Sequence, residues 1–154
     1  MSDAEPAGAP VLRISRRIKA PRERVFAAWT DPEEIPRWFG APGNDFPAVE
    51  VDLRVGGGYR FVMQAPGGFE LALAGTYLEV EPPNRLVYSF GWDRDLPFPG
   101  GEQMRETRVT VEFLDRGAET EIVLTHEGFP NDDSAAFHDA GWTVSLDRLS
   151  TLVE

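Results

Sequence analysis

The segment from Val51 to Phe61, VDLRVGGGYRF, sets three consecutive glycines between two runs of alternating apolar residues. Backbone this permissive, flanked by strand-like runs, predicts a tight hairpin. It is not a phosphate-binding loop, which needs Lys-Ser or Lys-Thr after the glycines and an opening helix. Tyr59, Arg60 and Phe61 follow instead and continue a strand. The middle of the chain is thereby committed to antiparallel pairing.

The same alternation recurs on both sides. Leu12, Ile14 and Ile18 share one face of a first strand. Val49, Val51, Leu53 and Val55 share another, and Tyr59, Phe61 and Met63 align after the glycines. Gly67-Gly68 turns the chain into Phe69, Leu71 and Leu73. Gly75 then interrupts the phase, and the apolar set moves to Leu78 and Val80, which predicts a bulge or a close backbone approach. Leu86, Tyr88, Phe90 and Trp92 form the next face, and a Pro/Gly-rich loop from Leu96 to Gly101 follows. Two last strands carry Val109, Val111 and Phe113, then Ile122, Leu124 and His126, joined at Asp115-Arg116-Gly117. Six or seven strands with one apolar face each predict an antiparallel meander covered on one side by helices.

Two short helices are expected after the first strand. Val25, Phe26 and Trp29 give the apolar face of one; Asp31-Pro32-Glu33-Glu34 opens the second, which Gly40 and Pro42 end. From about Asp132 to Val153 the pattern predicts one long helix, capped by Asn131, Asp132 or Asp133. At 1.5 Å per residue it is about 33 Å long, enough to cross a sheet. Phe137, Ala140, Gly141 and Val144 form one row of it; Trp142, Leu146, Leu149 and Val153 form another. Gly141 weakens a helix interior by roughly 1 kcal/mol relative to alanine, so it marks close packing or a cavity wall.

A chain of 154 residues with 42% hydrophobic content reads as one domain, residues 11–154, behind a flexible tail over 1–10. Its net charge of −11 argues against nucleic acid as a partner. The exception is a basic first strand and exit, Arg13, Arg16, Arg17, Lys19, Arg22 and Arg24, read as a solvated face or a docking patch. The chain has no cysteine, which removes disulfides, thiolate metal sites and cysteine nucleophiles. Neither a signal peptide nor a membrane-spanning stretch is evident, so a cytoplasmic location without membrane insertion is expected.

Several long segments resemble one family in order: IKAPRERVFAAWTDPEEIPRWFG (18–40), VDLRVGGGYRF, GTYLEVEPPNRLVYSF (75–90), TEIVLTHEGFP (120–130) and HDAGWTVSLDRL (138–149). They are similar to the helix-grip proteins of the START-like (SRPBCC) superfamily. Within it they look like the bacterial members of the family named for activators of the heat-shock protein 90 ATPase. The resemblance implies an α+β helix-grip fold, a curved antiparallel sheet wrapped on the last helix with a hydrophobic cavity between them.

Strand phase places Phe61, Met63, Phe69, Leu71, Tyr88, Phe90, Trp92 and His126 toward that helix, with Leu124 among them. Trp38 and Phe39 are expected at the mouth, and Phe137 and Trp142 close the cavity from the helix. Such a pocket suits a small apolar ligand; the alternative is a solid core. His126 is read either as a satisfied core histidine or as a ligand-orienting group, and His138 as a capping or surface residue. If the cavity is hollow, Phe90→Ala and Trp142→Ala cost less than a packed core demands. No esterase elbow, zinc-protease helix or metal-ligand spacing occurs, so no cofactor and no metal are expected. Two other readings stay open. One is a chaperone-interacting module docking through the basic strand. The other is a polyketide cyclase-like enzyme using Tyr59, Arg60, Tyr88, Arg105 and His126. Either form, monomer or homodimer, is compatible with the pattern.

Overall fold

The computed structural model describes residues 10–94, 96 and 106–154. Seven antiparallel strands form one sheet in the order β1-β7-β6-β5-β4-β3-β2: β1 (Val11–Ile18), β2 (Asp45–Val51), β3 (Gly58–Gln64), β4 (Glu70–Glu81), β5 (Arg85–Trp92), β6 (Thr107–Arg116) and β7 (Glu119–Glu127). Helix α1 (Arg22–Thr30) follows β1, and α2 (Asp132–Val153) ends the chain. The α+β meander under a long terminal helix is the expected fold class. Residues 1–9 of the expected 1–10 tail, the expected loop beyond Leu96 and the candidate Arg105 lie outside the described residues.

Each element follows from local sequence. In α1, Val25, Phe26, Ala28 and Trp29 are buried on the sheet, and the Phe26 and Trp29 rings meet Phe113 of β6 edge-on at 5.3 and 5.7 Å. Asn131 caps α2: its side chain accepts a hydrogen bond from the Ser134 amide at 2.8 Å, and Asp132 and Asp133 sit on the positive end of the helix. The helix buries Trp142, Leu146 and Leu149 against the sheet.

Three expectations need correction. The second short helix is only a 3-10 turn, Ile35–Arg37. Pro36 explains it: in a helix opening at Pro32 it would be an interior residue lacking its N–H and crowding the carbonyl of Pro32. The glycine segment is a loop rather than a tight hairpin, because β2 stops at Val51 and β3 starts at Gly58. Leu53 and Val55 therefore face solvent instead of the core. The loop docks on β4 instead, with the Gly56 amide donating to the Tyr77 carbonyl at 2.8 Å and the Tyr77 amide to the Gly57 carbonyl at 2.9 Å. A Cβ on Gly57 would lie 2.1 Å from the Asp52 carbonyl oxygen, so only glycine closes this loop.

The third correction concerns β4. The phase break lies after Tyr77, where the β4–β5 register shifts, so Tyr77 is buried and Leu78 exposed. Gly75 is the close approach. A Cβ there would lie 1.9 Å from the Ser89 carbonyl oxygen and 2.7 Å from the Tyr59 ring. That bare spot lets Tyr59 cross the strand and donate its hydroxyl proton to the Ser89 carbonyl at 2.7 Å.

Candidate functional site

A cleft of about 440 Å³ opens along one side of α2. Its walls are the segment Phe39–Asn44 after the 3-10 turn, the β3–β4 end with Met63, Phe69 and Leu71, the β5 end with Phe90 and Trp92, and the α2 row Phe137, Ala140, Gly141 and Val144. Among the described residues the walls are almost entirely carbon, with Asn44, His138 and Ser145 as the polar side chains among them. Gly141 belongs to the cavity wall: a Cβ built on it meets nothing within 4 Å, so its missing side chain is part of the free space. Ala140, Gly141 and Val144 are exposed and form the rim.

Of the twelve residues singled out from sequence, eight line this cleft: Phe39, Met63, Phe69, Leu71, Phe90, Trp92, Phe137 and Trp142. Trp38, Phe61 and Tyr88 do not. They line a separate internal cavity of about 20 Å³, which also touches Phe39. Trp38 is not at a mouth; it is fully buried, and its indole N–H donates to the Ala28 carbonyl at 2.9 Å. His126 reaches neither space.

His126 sits behind Trp142 and Phe90, fully buried. The Trp142 indole N–H donates to His126 Nδ1 at 3.1 Å, which puts the imidazole proton on Nε2. Nε2–H then donates to Thr107 Oγ1 at 2.8 Å, and Thr107 passes its own proton to the Phe90 carbonyl at 2.7 Å. Every polar atom in this chain is used.

His138, expected at the surface, is a buried residue of the cleft wall. Trp92 donates its indole N–H to His138 Nε2 at 3.0 Å, so Nδ1 carries the proton and donates it to the Ser134 carbonyl at 2.8 Å. Two tryptophans thus hold two neutral histidines, 5.6 Å apart, with Phe90 against both. Neither ring has a nitrogen left for a bound molecule, which removes acid–base chemistry from His126 and His138 in this arrangement. His138 was legible after all: it stands four residues before Trp142, on the row continued by Leu149.

Burial makes the charged form of both rings costly. It drives His126 down from 6.5 to about 2, with the neighbouring His138 adding to the shift, and lowers His138 in the same direction. The unfolded chain takes up protons below about pH 6.5 while the folded one does not, so stability falls as pH falls through that window. Between pH 7 and pH 5 the loss from His126 alone is about 2 kcal/mol. Urea unfolding at the two pH values measures it; equal midpoints would contradict neutral buried histidines.

The wall opposite the sheet is fastened by α2 itself. Ser145 accepts the Gly40 amide proton at 2.9 Å. One turn later, Arg148 donates to the Gly40 carbonyl at 2.7 Å and to the Arg37 carbonyl at 3.2 Å. The proline- and glycine-broken segment after the 3-10 turn cannot satisfy these groups by itself, and Arg148 supplies several donors at once. This latch fixes the position of Phe39.

The basic first strand is largely neutralised. Arg16 pairs with Asp147 at 2.6 Å, Arg17 with Glu119 at 3.0 Å and Arg24 with Glu34 at 2.7 Å, while Arg22 hydrogen-bonds Asn84. No helix among the described residues is long and apolar enough to cross a membrane.

The fold matches solved proteins over almost their whole length. A protein from Chromobacterium violaceum is 29% identical, with a TM-score of 0.81 over 94% of this chain and 97% of its own. An AHSA1 protein from Silicibacter pomeroyi is 26% identical, with a TM-score of 0.78 over 92% and 96%. An AHSA1-like protein from Aeromonas hydrophila, solved by NMR, is 30% identical, with a TM-score of 0.70 over 91% and 90%. No curated protein matches the sequence. The family model described as "Activator of Hsp90 ATPase homolog 1-like protein" matches residues 19–154, and the chain belongs to that family, on a START-like fold.

Proposed function

We propose that this protein binds a small, mostly apolar molecule in the cleft beside α2. The observation that carries this reading is a carbon-walled space of about 440 Å³ set against a buried hydrophobic core. A space of that size falls within the usual range of ligand pockets. Leaving so much apolar surface wet is unfavourable at about 25 cal/mol per Å², and an apolar guest recovers that energy. The polar groups on the wall are few and mostly committed, so recognition rests on shape and apolar contact. The chaperone-docking reading has less support, since Arg16, Arg17 and Arg24 of its patch are already paired with acids of the same chain.

Gly141 provides the test. Gly141→Ala is expected to stabilise α2 by roughly 1 kcal/mol while shaving the cleft only slightly. A Cβ at this position meets nothing within 4 Å, so Gly141→Leu directs a larger side chain into the open space. It is expected to keep the melting temperature while weakening binding of 2-ethylnaphthalene by more than about tenfold, each lost apolar contact counting against the guest. Isothermal titration measures the affinity; unchanged binding in Gly141→Leu would place the ligand elsewhere. Native mass spectrometry of freshly purified protein should also show an apolar adduct that this variant lacks.

A further inference from the structure

Among the described residues, Phe39 is the one common to the open cleft and the internal cavity behind it. Its ring stands edge-on to Phe61 at 5.7 Å and to Trp142 at 6.0 Å, and so forms a partition between the two spaces. The Ser145–Arg148 latch holds the backbone on which that partition is mounted. The inner chamber measures about 20 Å³, room for one oxygen-sized group, and three tyrosines, Tyr59, Tyr77 and Tyr88, line it.

The three hydroxyls are not equivalent. Tyr59 spends its proton on the Ser89 carbonyl. Tyr88 accepts from the Trp29 indole at 3.2 Å and, among the described residues, gives its own proton to no acceptor. Tyr77 is 3% exposed, yet its hydroxyl makes no hydrogen bond among the described residues. A buried hydroxyl without a partner is costly, and the two tyrosines with an unspent O–H both line this one small chamber, so an acceptor placed there would find donors. Burial raises the pKa of all three phenols, which keeps them protonated donors at neutral pH. Among the described residues no Lys, Arg or His lines the chamber, so a carboxylate would enter it without a counter-charge.

We infer that this chamber is a second subsite, entered when the Phe39 ring turns, which takes the neutral carbonyl oxygen of a molecule whose apolar body fills the cleft. The inference rests on the cleft being a ligand site and adds the chemical class: an apolar or aromatic ketone, aldehyde or amide rather than a hydrocarbon or an acid. Tyr77 and Tyr88 donate to the oxygen, and the aromatic wall excludes competing water.

Two probes of nearly equal shape test it, 2-acetonaphthone with a carbonyl and 2-ethylnaphthalene without. Their affinities are measured for the wild-type protein, Tyr77→Phe and Tyr88→Phe. The ratio of ketone to hydrocarbon affinity is expected to fall roughly three- to tenfold in each variant, the effect of one net hydrogen bond, while hydrocarbon affinity stays unchanged. Tyr77→Phe removes a buried hydroxyl that bonds to no described residue, so its melting temperature should equal or exceed that of the wild type. If the hydrocarbon binds and the ratio is the same in all three proteins, the subsite is overturned and the cleft stands. If neither probe binds the wild type, the cleft reading falls and takes the subsite with it.

Discussion

Trp142→Ala is expected to destabilise the protein by about 3–5 kcal/mol, the cost of emptying a packed aromatic site. Trp142 is 3% exposed and touches Trp29, Phe39, Phe90 and His126, so it belongs to the core as much as to the cleft. Truncation also strips His126 Nδ1 of its donor and leaves a buried acceptor unpaired, which pushes the cost toward the upper end. The sequence alone suggests the opposite, that an alanine at Phe90 or Trp142 borders empty space and is cheap. The structure predicts a higher cost at these two positions, because each is buried against the core as well as lining the cleft. Urea unfolding measures the cost. A loss below about 1.5 kcal/mol would mean that the Trp142 site is loosely packed.

Gly75→Ala is expected to cost upwards of about 3 kcal/mol, at the severe end of overpacking. The clash is with backbone, 1.9 Å from the Ser89 carbonyl oxygen, and a backbone atom in a paired strand cannot swing aside as a side chain can. Relief would require parting β4 from β5 or expelling the Tyr59 ring, which gives up the Tyr59–Ser89 hydrogen bond. The Thr76 amide, which donates to Ser89 Oγ at 2.8 Å, would lose its place as well. Thermal unfolding of the variant checks this. A melting temperature within a few degrees of wild type would show that the two strands separate more easily than their register implies.

The strands and α2 were legible because their residues obey one period each. Ile122, Leu124 and His126 alternate without exception, and α2 is bounded by an asparagine cap and carried by the Trp142–Leu146–Leu149 row. Misreadings arose where a local signal was answered by a distant contact. Leu53 and Val55 look like strand residues, but the glycines after them pair with Tyr77, far along the chain, and pull the segment out of the sheet. The α-helix signal at Asp31–Glu34 is real, and Pro36 ends it within one turn.

The site divided along the same line. Strand phase shows which face a residue occupies and so brought Met63, Leu71, Phe90 and Trp92 together. It says nothing of position along the strand, which decides whether a residue on the inner face meets the cleft, as Phe90 does, or the tyrosine chamber, as Tyr88 does. His138, Ser145 and Arg148 were missed because polar residues on a helix read as solvated, whereas here two meet a neighbour's indole or backbone and the third clamps a broken segment.

The central claim is that the cleft beside α2 is a ligand site, and NMR titration with 2-ethylnaphthalene tests it most directly. Saturable shifts confined to Gly40, Met63, Leu71, Gly141 and Val144 are expected, with Ile122 and Leu124 at the other side of the core unmoved. A titration that leaves the cleft residues unshifted up to the probe's solubility limit would contradict it.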